Sequence, residues 1–199
     1  MDVYACHLYQ YPAESDLPAL QSFRAVLAAH KMGRKPLWNT ESGLDRNGHT
    51  SNDAVAFVVQ EHVLDWAAGL DRLCYYAYDN EYYYGLDKSL NVVHADKSVD
   101  KIRDAAHLNP DGVAYEQMQS WLVGSVMLSC ASGRHGTWTA ALLRPNGKRA
   151  WIVWNPDATR AFIAPSSWKV KTSRDLTGAA SLIRGGSAMI GPVPVLLEQ

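Results

Sequence analysis

Acids, a histidine and several tyrosines collect at three points of the chain that read as strand ends. The run 2–8 closes on His7-Leu8-Tyr9, the run 35–40 on Asn39-Thr40-Glu41, and the run 73–78 on Tyr76, Tyr78 and Asp79, followed by Asn80 and Glu81. A carboxylate next to hydrogen-bond donors can serve as a nucleophile or a general acid or base. Tyrosine adds an apolar ring face and a polar tip, a combination that suits a sugar. In a parallel α/β fold such residues sit at the C-terminal ends of strands, so the three groups would share one rim. Read one at a time, Glu41 could be an ordinary surface carboxylate, His7 a structural histidine and Tyr9 a rim residue.

The intervening segments are of the kind needed to hold that rim. A helix is expected from Asp16, a plausible N-cap, to about residue 32, with Pro18 early and Gly33 as its stop. A second is expected over 53–68, capped by Ser51 or Asn52 and ended by Gly69, with Val55, Val58, Val59, Val63 and Trp66 spaced for one buried face. A long loop then leads to a third helix at 112–122, with Tyr115, Met118, Trp121 and Leu122 inward. Strand, helix, strand, helix, strand implies a parallel sheet with crossover helices. That fits either the last three βα units of an eight-fold barrel or part of an open sheet. By alternation Trp38 falls on the face opposite Glu41 and reads as core, which puts Asn39 on the side of Glu41.

The pattern changes near residue 132. Runs at 137–143, 150–154, 161–163, 168–172 and 193–197, with the turn Pro145-Asn146-Gly147-Lys148, predict a small all-β module, most simply a sandwich. Residues 1–130 and 131–199 are therefore expected to be two domains.

The bulk numbers narrow the function. The chain has 199 residues, 47% of them hydrophobic, enough for a real core. Its 19 basic and 20 acidic residues leave a net charge of −1, which argues against nucleic acid or an anionic membrane as partner. No apolar run is long enough to span a bilayer, and no signal peptide is visible. Seven Trp and ten Tyr against three Phe favour amphipathic rings. Cys6, Cys74 and Cys130 form neither a disulfide framework nor a zinc pattern; Cys6 and Cys74, each within a strand-like run, are expected as buried thiols. The histidines show no ligand spacing, so no metal or other cofactor is expected.

The segment Lys35-Pro36-Leu37-Trp38-Asn39-Thr40-Glu41-Ser42-Gly43 resembles the seventh strand of clan-A glycoside hydrolases. His7-Leu8-Tyr9 is similar to the end of their sixth strand, and Tyr75-Tyr76-Ala77-Tyr78-Asp79 to the aromatic end of the eighth. The helix from Asn109 through Leu122 and the trailing β module are similar to the xylosidase- and iduronidase-like branch. The resemblance implies a (β/α)8 barrel represented by about strands 6–8, followed by a β-sandwich. It implies a retaining O-glycosyl hydrolase acting on a carbohydrate, with Glu41 as nucleophile and Tyr9 orienting it. His7, Asn39, Tyr76, Tyr78 and Asp79 would bind substrate, Tyr78 standing where the clan usually has Trp.

A retaining mechanism needs a second carboxyl about 5–5.5 Å from the first. The clan carries it at the end of strand four, which has no counterpart here. Three parallel strands cannot close a barrel. The chain is therefore expected to require an N-terminal barrel half or a second copy. Two alternatives are Asp79 or Glu81 as the second carboxyl, and a non-catalytic carbohydrate-binding or structural remnant.

Overall fold

The computed structural model describes residues 2–78, 84–93, 96 and 99–199. A three-stranded parallel sheet is formed by β1 (Tyr4–His7), β2 (Leu37–Ser42) and β3 (Arg72–Tyr75), in that spatial order. α1 (Asp16–Ala29), entered through a 3-10 turn at Ala13–Ser15, joins β1 to β2, and α2 (Ser51–Ala67) joins β2 to β3. β4 (Asp87–Val93) and β5 (Val99–Leu108) then form an antiparallel pair where a loop was expected, ahead of α3 (Pro110–Leu122).

The helix ends follow local chemistry. Thr50, one residue before the expected caps, starts α2: its Oγ1 accepts from the Asp53 N–H at 3.2 Å, and the Asp53 carboxylate accepts from the Thr50 N–H at 2.7 Å. This reciprocal pair satisfies two otherwise orphaned donors. Gly69, at φ +78°, follows the helix as expected. α1 ends earlier than expected, at Ala29, because Lys31 itself takes the left-handed conformation (φ 63°) assigned to Gly33.

The β module is a six-stranded antiparallel sheet. Its order is β11 (Ala180–Leu182), β10 (Thr172–Arg174), β13 (Val195–Glu198), β8 (Arg149–Trp154), β7 (Trp138–Leu143) and β6 (Val126–Ser132). A two-stranded ribbon of β9 (Arg160–Ile163) and β12 (Ser187–Ile190) lies against it. β6 starts at Val126, so this sheet already runs through residue 130. The expected strand at 168–172 is replaced by a 3-10 turn at Ser166–Trp168 and by β10.

One face of this sheet packs on helices and the other on the β9–β12 ribbon. Alternate residues of β8 serve two cores: Ala150, Ile152 and Trp154 pack with Phe57 of α2 and Met118 and Trp121 of α3, while Trp151 and Val153 pack with Ala188 and Ile190 of the ribbon. Helix α2 is thus enclosed between the parallel sheet and the six-stranded sheet. That is why Val58, Val59, Val63 and Leu64 are buried together with Gln60, Glu61 and Asp65, and why its apolar stripe is broader than a surface helix needs. Gln60 donates to the Pro192 carbonyl at 2.9 Å, and the Trp154 indole donates to Glu14 at 2.8 Å, joining the two sheets' surroundings.

Candidate active site

The parallel sheet has two unlike faces. Toward α2 it presents Leu37, Asn39 and Ser42, all fully buried. Away from α2 it presents Ala5 and His7 of β1, Trp38 of β2, and Arg72 and Cys74 of β3, which are exposed or half-buried. The Arg72 guanidinium stacks on Trp38 at 4.3 Å.

The alternation along β2 is broken by a bulge between Asn39 and Ser42. Three residues there span what two span on β3, so Asn39 and Ser42 face the same way. This corrects two expectations. Trp38 is half-buried on the open face and is not core. Asn39 does not face the site: its Oδ1 accepts from the Leu8 N–H at 3.2 Å and its Nδ2 donates to Asp65 at 3.3 Å. Asn39 holds the end of β1 in place from below.

Glu41 emerges on the open side of the bulge. Tyr9 Oη donates to its Oε1 at 2.6 Å, and His7 Nδ1 stands 3.6 Å from Oε2. The Leu8 N–H donates to the Glu41 carbonyl at 3.2 Å, fixing the two strand ends to each other. Desolvation, then the hydrogen bond to Glu41 and its charge, push the Tyr9 phenol well above its ordinary range. Tyr9 therefore keeps its proton and acts as a donor. Glu41 remains 40% exposed, reachable from solvent.

Beside this pair lie two more rings. Tyr84 meets Tyr9 edge-on at 5.9 Å and Tyr76 at 5.4 Å. Gly43 makes that approach feasible: a Cβ there would fall 2.0 Å from the Tyr76 carbonyl oxygen and 3.3 Å from the Tyr84 ring. The structure brings together His7, Tyr9, Glu41, Tyr76 and Tyr84. Tyr84 was not among the expected site residues; in the run Tyr82-Tyr83-Tyr84 nothing in the sequence distinguishes one ring from the others. Tyr78 is exposed beyond β3. Asp79, with Asn80 and Glu81, lies outside the described residues. Arg46, the basic residue closest in sequence, is engaged by both oxygens of the buried Asp111 at 2.7 and 2.6 Å and by the Gly85 carbonyl.

No protein-family profile matches this chain, and no curated protein sequence matches it. Solved structures do match. A family 39 glycoside hydrolase from the gut symbiont Bacteroides cellulosilyticus WH2 superposes with a TM-score of 0.72 at 15% identity, over 100% of this chain and 44% of that one. A glucosidase from Croceicoccus marinus gives 0.61 at 13% identity, over 100% of this chain and 53% of that one. The catalytic domain of GH30 xylanase C from Talaromyces cellulolyticus gives 0.51 at 12% identity, over 98% of this chain and 51% of that one. The chain shares its fold with parts of glycoside hydrolases and spans about half the length of these proteins. At such identities the likeness concerns the fold alone.

A second set of carboxylates lies on the α2 side of the sheet. Asp16, Glu61 and Asp65 are buried; Ser42 donates to Glu61, Asn39 donates to Asp65, and neither oxygen of Asp16 has a hydrogen-bond partner among the described residues. Burial, reinforced by neighbouring acids, raises Asp16 to about 7, and burial raises Asp65 to about 6. These acids lie on the side of the sheet opposite the open face. Among the described residues no cluster of three or more His, Cys, Asp or Glu side chains could hold a metal ion. No helix there is long and apolar enough to cross a membrane. The three cysteines are free; Cys74 is exposed and not buried, because it shares the open face of β3 with Arg72.

Proposed function

We propose that this chain carries the nucleophile side of a retaining glycoside hydrolase. The observation behind this reading is the Tyr9–Glu41 hydrogen bond, 2.6 Å long, at the C-terminal ends of adjacent parallel strands in a fold shared with glycoside hydrolases. In this reading β1, β2 and β3 correspond to strands 6–8 of a (β/α)8 barrel, and residues 131–199 with β6 form its companion β domain. Glu41 attacks the anomeric carbon of a carbohydrate substrate, the glycosidic oxygen leaves, and water later displaces the enzyme from the sugar. Tyr9 donates to one carboxylate oxygen and turns the other toward the sugar. His7 borders the same subsite. Tyr76, backed by Tyr84, gives the ring an apolar wall, and Tyr78 lines the cleft further out.

The general acid would come from βα units like those in the rest of the longer hydrolases, on an N-terminal barrel half or a second copy. The edge of β1, unpaired among the described residues, and the open face holding Ala5, Trp38 and Arg72 suit such a complement.

A substrate that needs no general acid tests the nucleophile directly. Dinitrophenyl 2-deoxy-2-fluoroglycosides of xylose, glucose and galactose lose dinitrophenolate unaided and leave a long-lived glycosyl ester. Mass spectrometry is expected to find the added sugar on the peptide containing Glu41, and none in Glu41→Gln. A sugar attached elsewhere would refute the assignment.

A further inference from the structure

The face of the six-stranded sheet turned away from α2 and α3 is only partly covered by the β9–β12 ribbon. Beside the ribbon runs a groove of about 630 Å³, lined among others by Ser129, Arg149, Trp151, Trp168, Lys169 and Gln199. The indoles of Trp151 and Trp168 stack in parallel, 4.5 Å apart and 2° from coplanar, so the half-buried Trp168 is held rigid at the groove. A fixed indole loses little entropy when a ring packs on it.

The groove is an open furrow on this face, and two exposed basic side chains border it, Arg149 and Lys169. Among the described residues no acidic side chain lines it. In a chain of net charge −1 this is a local excess of positive charge.

We propose that this furrow binds a stretch of uronate-bearing glycan. A sugar ring packs its C–H face on Trp168, and Arg149 and Lys169 receive carboxylates of the same strand. The site is separate from the rim of Glu41, since α2 and the six-stranded sheet stand between them. Its role is to hold a polymer to the chain. The glycan class rests on the glycosidase reading; the position and charge of the furrow do not.

The test uses the full chain and three matched pairs of probes: cellohexaose, mannohexaose and a β-1,4-galactan hexamer, each beside its C6-oxidised polyuronate. Tryptophan fluorescence and calorimetry are read together. At least one polyuronate is expected to bind about tenfold or more tighter than its neutral partner, and to weaken about tenfold from low to high salt. Trp168→Ala should lose about tenfold or more. Ser129→Trp, an exposed position that fills the groove without touching the core, should do the same and decides the matter if Trp168→Ala does not fold. Glu41→Gln should bind like the parent, so failure of the catalytic reading leaves this result standing. Absence of binding by every polyuronate, equal binding of the neutral partners, or undiminished binding by Ser129→Trp overturns the proposal. So does a thymidine hexanucleotide that binds as tightly as the best polyuronate.

Discussion

The two faces of the parallel sheet treat carboxylates in opposite ways. On the open face Glu41 is partly solvated, accepts a 2.6 Å hydrogen bond from Tyr9 and has His7 beside it. On the α2 face Asp16, Glu61 and Asp65 are enclosed, repel one another and leave oxygens without hydrogen-bond partners among the described residues. A nucleophile needs an ionised, aimed and accessible oxygen. The first environment leaves the carboxylate accessible and aimed by a donor, and the second favours the neutral acid. In the proposed reading, burial and a shifted titration therefore mark structural acids and not the nucleophile, although such shifts often mark active sites elsewhere.

The difference is broken most sharply by paired amide substitutions. Glu41→Gln is expected to cost about 10⁴-fold or more in glycosyl transfer, with thermal stability nearly unchanged. Glu61→Gln should change stability while each folded molecule keeps its activity. Rates per folded molecule, corrected by circular dichroism, would separate the two. In an active assembly with Glu41→Ala, azide should restore turnover by filling the vacated position. Normal activity in Glu41→Ala would remove the nucleophile from this strand.

Next in size is Gly43→Ala. The added methyl would meet the Tyr76 carbonyl at 2.0 Å, backbone that cannot swing aside. The end of β2 or the start of the Tyr76 segment must move, at a cost of about 1–3 kcal/mol. Such a shift also disturbs the Tyr76–Tyr84 contact, so activity should fall together with the melting temperature. A variant of unchanged stability would mean that the close approach is relaxed in solution.

The alternation of strands and helices up to β3, the change to β structure near residue 132 and the strand that carries Glu41 were legible because each has a local cause. Apolar runs, caps and the Pro145–Lys148 turn depend on near neighbours. The faces of β2 were not legible: the bulge between Asn39 and Ser42 is set by pairing with β3, and one extra residue reverses the side on which Asn39 falls. The antiparallel pair β4–β5 was missed because charged residues interrupt its apolar alternation, and pairing alone defines it. Nor could alternation show that Tyr84 returns to Tyr9 across a loop.

Tyr9→Phe probes the donor without disturbing the ring. A hydrogen bond to a charged group contributes about 1.5–3 kcal/mol, so the rate should fall about 10- to 100-fold. The ring's contact with Tyr84 should persist, leaving the fold intact. An equal loss in Tyr84→Phe would move the donor role to that residue, and comparing the two variants locates it.

The smallest effect concerns the buried acids and appears as pH dependence. Asp16 is raised in the folded chain from 3.8 to about 7, chiefly by desolvation and then by Asp65 and Glu14. The fold prefers the protonated form. Its contribution is complete below about pH 4 and is lost as pH rises toward 7, because the unfolded chain releases that proton earlier. Asp65, raised to about 6, acts in the same direction over a narrower range. Asp16→Asn removes the titration and should flatten the fall in melting temperature between pH 4 and 7. At pH 8 the variant should be more stable than the parent by on the order of 1–2 kcal/mol, reduced by whatever the new amide leaves unpaired. Carboxylates stabilised as anions would give the reverse slope, with stability growing as pH rises. That result would mean that the α2 face does not favour the neutral acid, and the contrast drawn between the two faces of the sheet would fall.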